Sequence, residues 1–171
     1  MRYLKLASLL LPAASLAAPT SLSARQDPAC APTSYAIADF TYTTGPSSSS
    51  PHVSFNFQSF FSNPAIINDP SSAGATCDAD GESVDAFPME TECSTGRVNL
   101  MFDLRAPVDQ ANFQIIHTWH CNGQTWMSST PHKIDPVNCD GSDDGATTCT
   151  SASGTFAPQN VRQICSTPTC P

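Results

Sequence analysis

The chain has 171 residues, of which 13% are charged, and its 15 acidic residues outnumber seven Lys and Arg to give a formal net charge of −8. One globular domain fits this length. The acidity argues against a nucleic-acid partner, because phosphate binding needs clustered Lys or Arg. No collagen repeat or heptad repeat is present, so fibrous scaffolds are also excluded.

Residues 1–17 have the pattern of a secretory signal peptide. A basic start and the apolar run LASLLLPAA precede small residues at Ser15 and Ala17. The apolar run is shorter than the roughly 20 residues of a membrane-spanning helix, so we expect cleavage after Ala17 and no membrane insertion. Residues 18–25, ending at Arg25, would then form a short pro-segment. The sequence therefore predicts a secreted, extracellular protein.

The remaining residues, 26–171, are predicted to form a single β-rich domain. Removal of the first 25 residues leaves four basic residues against 15 acidic ones, a net charge of −11. Repulsion of that size favours solubility and disfavours anionic partners. The four basic residues are Arg97, Arg105, Lys133 and Arg162.

All eight cysteines lie in this domain, and an even count in a secreted chain predicts four disulfides. Zinc is the weaker interpretation, because no C-x-x-C pair is present. Short loops favour the pairs Cys77–Cys93 and Cys139–Cys149. We expect Cys30 to tie the N-terminal arm to Cys165 or Cys170, near the other end of the chain. The disulfide candidates are Cys30, Cys77, Cys93, Cys121, Cys139, Cys149, Cys165 and Cys170.

Three segments have the composition and period of β-strands. Residues 35–43 (YAIADFTYT) are rich in aromatic and β-branched side chains, and residues 52–60 (HVSFNFQSF) alternate between apolar and polar. Residues 98–104 (VNLMFDL) alternate again, with Val98 counted as the first apolar position. A period of two is typical of a strand, whereas a helix needs apolar residues three and four apart.

The segment NFQIIHTWHCNGQTWMSS, residues 112–129, predicts a β-hairpin. Asn122-Gly123 can take the positive φ angles of a type I′ turn, which matches the twist of the flanking strands. That turn sets Trp119 opposite Trp126. The face predicted to be buried then holds Phe113, Ile115, Trp119 and Trp126, and the wetter face holds Gln114, Thr118, His120 and Thr125.

Further strands are expected near residues 153–156 and 160–165, and no segment shows a convincing amphipathic helix. The connections 45–51, 63–80 and 135–145 are rich in turn-forming residues. Several short strands joined by polar turns predict an all-β fold. We expect a single compact, disulfide-stabilised β-barrel or β-sandwich of antiparallel strands.

No catalytic set is evident in the sequence. His117 and His120 fall on opposite faces of the hairpin strand, so they cannot chelate one metal, and ordinary structural histidines are the favoured interpretation. A ribonuclease-like acid–base site would need one of them with Glu90 or Glu92 and a cation for the phosphate. The candidate cations are Arg97 and Arg105, in a domain with few basic residues.

Two other hydrolase classes have little support. The G-x-S-x-G motif of serine hydrolases is missing. Glu90 and Glu92 could pair as in a glycosidase, although acidic residues are common in this chain.

Two acidic segments resemble calcium-binding turns. Residues 140–145 (DGSDDG) place Asp140, Ser142, Asp144 and Gly145 at helpful positions, but the twelfth position is Ser151 rather than Glu, and no helix follows. Residues 78–82 (DADGE) form a second acidic segment. A solvated turn is the favoured interpretation of both, so we predict no metal, no cofactor and no catalytic residue.

The order of these features is similar to that of a known family. A signal peptide and a pro-segment ending ARQ precede a cysteine and the strands YAIADFTYT and HVSFNFQ; a central cysteine pair, the strand VNLMFDL, the hairpin and a last cysteine pair follow. Over residues 30–165 the chain resembles the Alternaria major-allergen-like family of small secreted fungal proteins. The resemblance implies a compact β-barrel released outside the cell, whose relatives are regarded as allergens or as effectors and elicitors that act on plant hosts.

Some members of that family are thought to dimerise through a cysteine near the N-terminus, and Cys30 is the matching position. A flavonoid-type ligand has been associated with the dimer. This chain has more cysteines and an even number of them, which lets Cys30 pair internally. Monomer and dimer therefore both stay open.

The sequence favours a secreted non-enzymatic interaction protein, an effector, elicitor or allergen-like protein whose partner is a host protein or surface component. One alternative is a barrel that carries a small apolar ligand, a flavonoid or a lipid, since nine Phe and two Trp could line a cavity. The second alternative is a secreted hydrolase such as a ribonuclease-like enzyme.

Overall fold

The structure, a computed structural model, describes residues 27–45, 50–83, 86–105 and 111–165. The predicted signal peptide, the pro-segment and Cys170 lie outside the described residues. Within them, no helix is long and apolar enough to cross a membrane. The strands are β1 (Pro32–Thr44), β2 (His52–Phe61), β3 (Ile67–Asn68), β4 (Ala75–Asp80), β5 (Thr91–Glu92), β6 (Leu100–Leu104), β7 (Asn112–Cys121), β8 (Gln124–Lys133), β9 (Asn138–Gly141), β10 (Thr147–Ser151), β11 (Gly154–Phe156) and β12 (Arg162–Ile164), with 3₁₀ turns at Pro64–Ile66 and Pro70–Ala73.

The strands form two separate six-stranded sheets. One, called the β1 sheet, has the order β4-β2-β1-β10-β9, and β11 also pairs with β1. The other, called the β7 sheet, has the order β12-β8-β7-β6-β5, and β3 also pairs with β7. The pairings within both sheets are antiparallel. The predicted all-β, disulfide-stabilised fold is thus confirmed, in the form of a sandwich.

The core lies between the two sheets and follows directly from the alternating sequences. Every second side chain of a strand points to the same face, and in β1 and β2 these include Tyr35 and Phe55, which are buried. They meet rings from the β7 sheet edge to face, such as Phe55 against Phe113 at 5.3 Å between ring centres. The phenylalanines that a ligand carrier would need as cavity lining therefore pack against one another.

The hairpin of β7 and β8 has the predicted register, with Trp119 opposite Trp126 and Cys121 opposite Gln124. Asn122 and Gly123 have φ angles of 50° and 75°, as a type I′ turn requires. The two tryptophans are buried in a second, smaller core beside Cys30. The Trp119 indole N–H donates to the backbone oxygen of Cys30 at 2.8 Å.

Two disulfides join the cysteines that the short loops favoured, Cys77 to Cys93 and Cys139 to Cys149. The expected link from Cys30 to Cys165 or Cys170 is wrong, because Cys30 pairs with Cys121, 91 residues away. The sandwich brings the segment before β1 against the end of β7, and loop length gives no hint of that contact. Cys165 is also disulfide-bonded.

Three local predictions need correction. Val98 is not in a strand but 86% exposed, because the chain turns at Gly96, where the Leu100 N–H donates to the Gly96 oxygen, and β6 begins at Leu100. The connection 63–80 contains β4, whose alternation of Ala and Cys with polar residues is too weak in β-propensity to predict a strand. The connection 135–145 contains β9, which is exposed along its length.

Candidate functional site

A buried polar network lies inside the sandwich, centred on His117. This side chain is fully buried, on β7 between Ile115 and Trp119. Its Nδ1 is 3.0 Å from the Tyr35 hydroxyl. Its Nε2 is 3.0 Å from Ser71 Oγ and 3.1 Å from Asp69 Oδ1. A buried polar side chain is costly unless its hydrogen bonds are made, and His117 has partners on both ring nitrogens.

Asp69 collects the donors on the Nε2 side of the network. Its carboxylate accepts hydrogen bonds from the backbone N–H and the hydroxyl of Ser71 at 3.0 and 2.8 Å, from Asn99 Nδ2 at 2.8 Å, and from the Ser59 hydroxyl. Burial by itself would raise the pKa of Asp69. The hydrogen bond and charge of His117, with the hydrogen bonds of Ser59 and Asn99, outweigh burial and lower that pKa to about 2.

The network ties the two sheets together. Tyr35 and Ser59 belong to the β1 sheet, whereas His117 and Ser128 belong to the β7 sheet. The Tyr35 hydroxyl lies 2.6 Å from Ser128 Oγ as well as against His117. Burial raises the pKa of Tyr35, so this phenol stays neutral and acts as a hydrogen-bonding group over the physiological range.

Ser71, His117 and Asp69 are the residue types of a catalytic triad, but their arrangement differs from one. In a triad the acid and the nucleophile contact different nitrogens of the histidine. Here Ser71 and Asp69 share Nε2, and Tyr35 holds Nδ1. Ser71 and His117 are 0% exposed, so no substrate carbonyl can reach the hydroxyl without opening the sandwich. The geometry is that of a buried hydrogen-bond network that links the two sheets.

The residues named for a ribonuclease-like site do not come together. His117 lies inside the network, and His120 is exposed with Nδ1 3.3 Å from Thr125 Oγ1. Glu90 and Glu92 instead meet Arg97, Glu90 through the guanidinium and Glu92 through the backbone N–H at 3.0 Å. The remaining candidate, Arg105, lies 3.4 Å from Asp103.

The two acidic segments are also placed differently from calcium ligands. The Asp144 carboxylate accepts hydrogen bonds from the Ser142 hydroxyl and the Ala146 N–H. The hydrogen bond from Ser142 is the main reason that the pKa of Asp144 is lowered. Asp78 and Asp80 belong to β4 rather than to a turn. Among the described residues, no three His, Cys, Asp or Glu side chains converge on one point.

The outer face of the β7 sheet carries apolar side chains that the core does not cover. Met101 on β6 is directly opposite Ile116 on β7. Thr118 is the next residue of β7 on the same face, and Met127 on β8 is directly opposite it. All three side chains are only half-buried. Ile164 on the edge strand β12 is 40% exposed, and Met89 before β5 and Val98 before β6 are 82% and 86% exposed. Half-buried methionine adapts to varied partners.

The four basic residues of the described part of the chain lie in or next to strands of the β7 sheet. Arg162 stands opposite Met127 in the β12–β8 pairing, with its guanidinium 3.3 Å from the Met127 sulfur. Lys133 ends β8, Arg105 follows β6, and Arg97 lies in the turn before β6. Among the described residues, the six strands of the β1 sheet carry no Lys or Arg. Arg97, Arg105 and Lys133 form ion pairs with Glu90, Asp103 and Asp135.

The sequence does not indicate most of the buried network. Tyr35 fits the pattern of an ordinary strand residue, and no motif marks Asp69, Ser71, Ser59, Ser128 or Asn99. One signal was present. The predicted hairpin put His117 on the buried Trp face, and a buried imidazole requires polar partners. The sequence does not show that those partners come from a 3₁₀ turn 46 residues away.

The comparisons with known proteins give structural neighbours only. No protein-family model matches the chain, and no curated protein matches it. Two crystal structures of the Alternaria alternata allergen Alt a 1 are similar at 11% sequence identity. One has a TM-score of 0.49 and covers 79% of this chain and 92% of the allergen. The other has a TM-score of 0.48, with 78% and 96% covered.

Proposed function

We propose that this protein is a secreted, non-enzymatic interaction protein that acts on a host protein through the outer face of the β7 sheet. The observation that carries the proposal is that half-buried Met and Ile side chains on the outer face of the β7 sheet occur with the four described basic residues, which lie in or next to strands of the same sheet. Met and Arg are enriched in protein interfaces, and the strands of the β1 sheet carry no Lys or Arg among the described residues.

The partner that fits this face is a protein surface with an apolar centre and an acidic margin. Met101, Ile116 and Met127 supply the apolar contact, and Arg162 stands opposite Met127 as the cation nearest to them in the strand pairing. Charge complementarity at the margin speeds association and selects the partner, while the apolar centre supplies most of the affinity. The disulfides support an oxidising, extracellular setting, where such bonds persist.

The complete burial of Ser71 and His117 in the network supports a non-enzymatic role. Ser71 and His117 have the chemistry of a nucleophile and a base, but they are 0% exposed and they satisfy each other. The Glu and Arg residues that could have formed an acid–base site are paired among themselves at the edge of the β7 sheet. An effector or elicitor role is the form of action that this arrangement best supports.

The test is the response of plant tissue to the purified secreted protein. We expect the wild-type protein to provoke or suppress a defence response, and the Ile116→Asp/Met127→Asp variant to lose most of that effect. Thr43→Asp/Thr150→Asp is the matched control, because it adds the same two charges at exposed positions on the opposite sheet. No response to the wild-type protein in several plant hosts, or equal loss in both variants, would overturn the proposal.

A further inference from the structure

The three disulfides between described cysteines differ in their access to solvent. Five of the six cysteines in these bonds are at most 4% exposed: Cys30, Cys77, Cys93, Cys121 and Cys149. The sixth, Cys139, is exposed. A disulfide is opened by a thiolate that reaches one of its two sulfur atoms. Cys139 therefore offers an approach to the Cys139–Cys149 bond that neither of the other two bonds has.

The exposed bond lies at one edge of the β1 sheet. β9 is the last strand of that sheet, and among the described residues it pairs with β10 alone. Cys139 is directly opposite Cys149 in this pairing, so the bond joins two neighbouring strands. The other two bonds connect parts of the chain that belong to different sheets. The Cys139–Cys149 bond can therefore break without separating the sheets.

The β9–β10 hairpin has hydrogen bonds that hold it together when the disulfide is open. Four residue pairs join the two strands. In the turn between them the Ser142 N–H donates to the Ala146 oxygen at 2.8 Å, and the Gly145 N–H donates to the Ser142 oxygen at 2.9 Å. These contacts keep Cys139 close to Cys149, so the two sulfur atoms can rejoin. Opening of this bond is therefore expected to be local and reversible.

The charge around the exposed sulfur favours one kind of thiol. Asp140 follows Cys139 directly, and Asp143 and Asp144 lie in the turn between β9 and β10; all three are exposed. Residues 134–161 contain no Lys or Arg. At low salt such charges attract cations and repel anions over a distance of about 10 Å or more. A thiol with an ammonium group should therefore reach Cys139 more often than a thiol with a carboxylate.

We infer that the Cys139–Cys149 bond is a thiol–disulfide exchange site that reacts with cationic thiols. The sulfur of the attacking thiolate bonds to Cys139 Sγ, and the disulfide breaks with its electron pair on Cys149 Sγ. Burial disfavours a thiolate, so Cys149 takes a proton from water. The product is a mixed disulfide at Cys139 beside a free thiol at Cys149, and attack by Cys149 reverses the step. This site is separate from the outer face of the β7 sheet, so the inference does not depend on the host-protein interaction.

Peptide mapping of the folded secreted protein after brief exposure to cysteamine tests the position of the site. Free thiols are alkylated at each time point, and mass spectrometry locates the cysteamine adduct and the alkylated cysteines. We expect the adduct on Cys139 and the alkyl group on Cys149, at least about tenfold sooner than modification of any other cysteine. Another cysteine modified first, equal adducts on Cys139 and Cys149, or simultaneous opening of all disulfides would overturn the inference.

The preference for a cation is tested by the rates of cysteamine and 3-mercaptopropionate, each taken per thiolate and divided by its rate with a neutral model disulfide. We expect cysteamine to react about threefold faster at low salt, and the difference to vanish at high salt. Asp140→Asn/Asp143→Asn should reduce this ratio. Asp78→Asn/Glu82→Gln, which removes two exposed charges near the opposite edge of the β1 sheet, should leave it unchanged. Equal rates, or equal effects of the two double variants, would contradict the preference.

Discussion

Asp69 is the residue on which the buried polar network depends most. Its carboxylate is the shared acceptor for His117, Ser71, Ser59 and Asn99. Replacing Asp69 with Asn keeps the shape of the side chain but places an NH₂ donor against groups that are themselves donors. Leaving buried donors unsatisfied costs about 1–3 kcal/mol, and more for charged groups. We expect Asp69→Asn to lower the free energy of unfolding by about 2–4 kcal/mol, measured by denaturant titration near neutral pH.

The lowered pKa of Asp69 makes part of the stability depend on pH. The pKa of this carboxyl is about 2 in the folded protein against an ordinary value of 3.8, so the folded state binds its proton less tightly than the unfolded state. The contribution, about 2 kcal/mol, is complete above the ordinary pKa and is lost as the pH falls towards 2. The stability difference between wild type and Asp69→Asn should therefore shrink between pH 4 and pH 2, and a constant difference would contradict this.

His132 provides an independent test at the residue scale. Its ring stacks on Phe156 at 3.7 Å between centres, and burial lowers the pKa of His132 below its ordinary value. We expect an NMR titration to place its midpoint below 6.5, the ordinary value, and Phe156→Ala to move the midpoint upward by exposing the ring to water. A midpoint unchanged by Phe156→Ala would show that Phe156 does not shield this imidazole.

At the scale of elements, the disulfides should differ in their effect on stability according to the loop that each one closes. Cys30–Cys121 spans 91 residues, and Cys139–Cys149 spans 10. The loss of unfolded-chain entropy gives about 4.5 kcal/mol for the long loop and about 2.7 kcal/mol for the short one. Cys30→Ser/Cys121→Ser should therefore lower the melting temperature more than Cys139→Ser/Cys149→Ser. The reverse order in calorimetry would mean that local strain or packing dominates.

How much of the fold the sequence predicts depends on how local each signal is. The hairpin was predicted down to the residue pairs, because Asn122-Gly123 sets the register within a few residues. Strand β4 was missed because its buried side chains are only Ala and Cys. The Cys30–Cys121 bond and the Asp69–His117 contact depend on how two sheets stack, and no local pattern encodes that contact.

The whole molecule combines a closed interior with two chemically different outer faces. The interior polar groups are turned towards one another, so they hold the sheets in register instead of meeting a substrate. The outer face of the β7 sheet carries half-buried methionines, and the four described basic residues lie in or next to its strands, whereas the strands of the β1 sheet carry no Lys or Arg among the described residues. The proposed function therefore places the action of this scaffold in surface recognition.

The measurement that tests this account most directly is a comparison of Ile116→Asp/Met127→Asp with Ser71→Ala in the plant-tissue response, at a temperature where both proteins are shown to be folded. The first variant changes the outer face of the β7 sheet and leaves the network intact. The second removes the only hydroxyl of the network that could resemble a nucleophile beside His117 Nε2. We predict that the surface variant loses the response and that Ser71→Ala keeps it. Loss of the response in folded Ser71→Ala, with the surface variant fully active, would contradict the account and point to chemistry at Ser71.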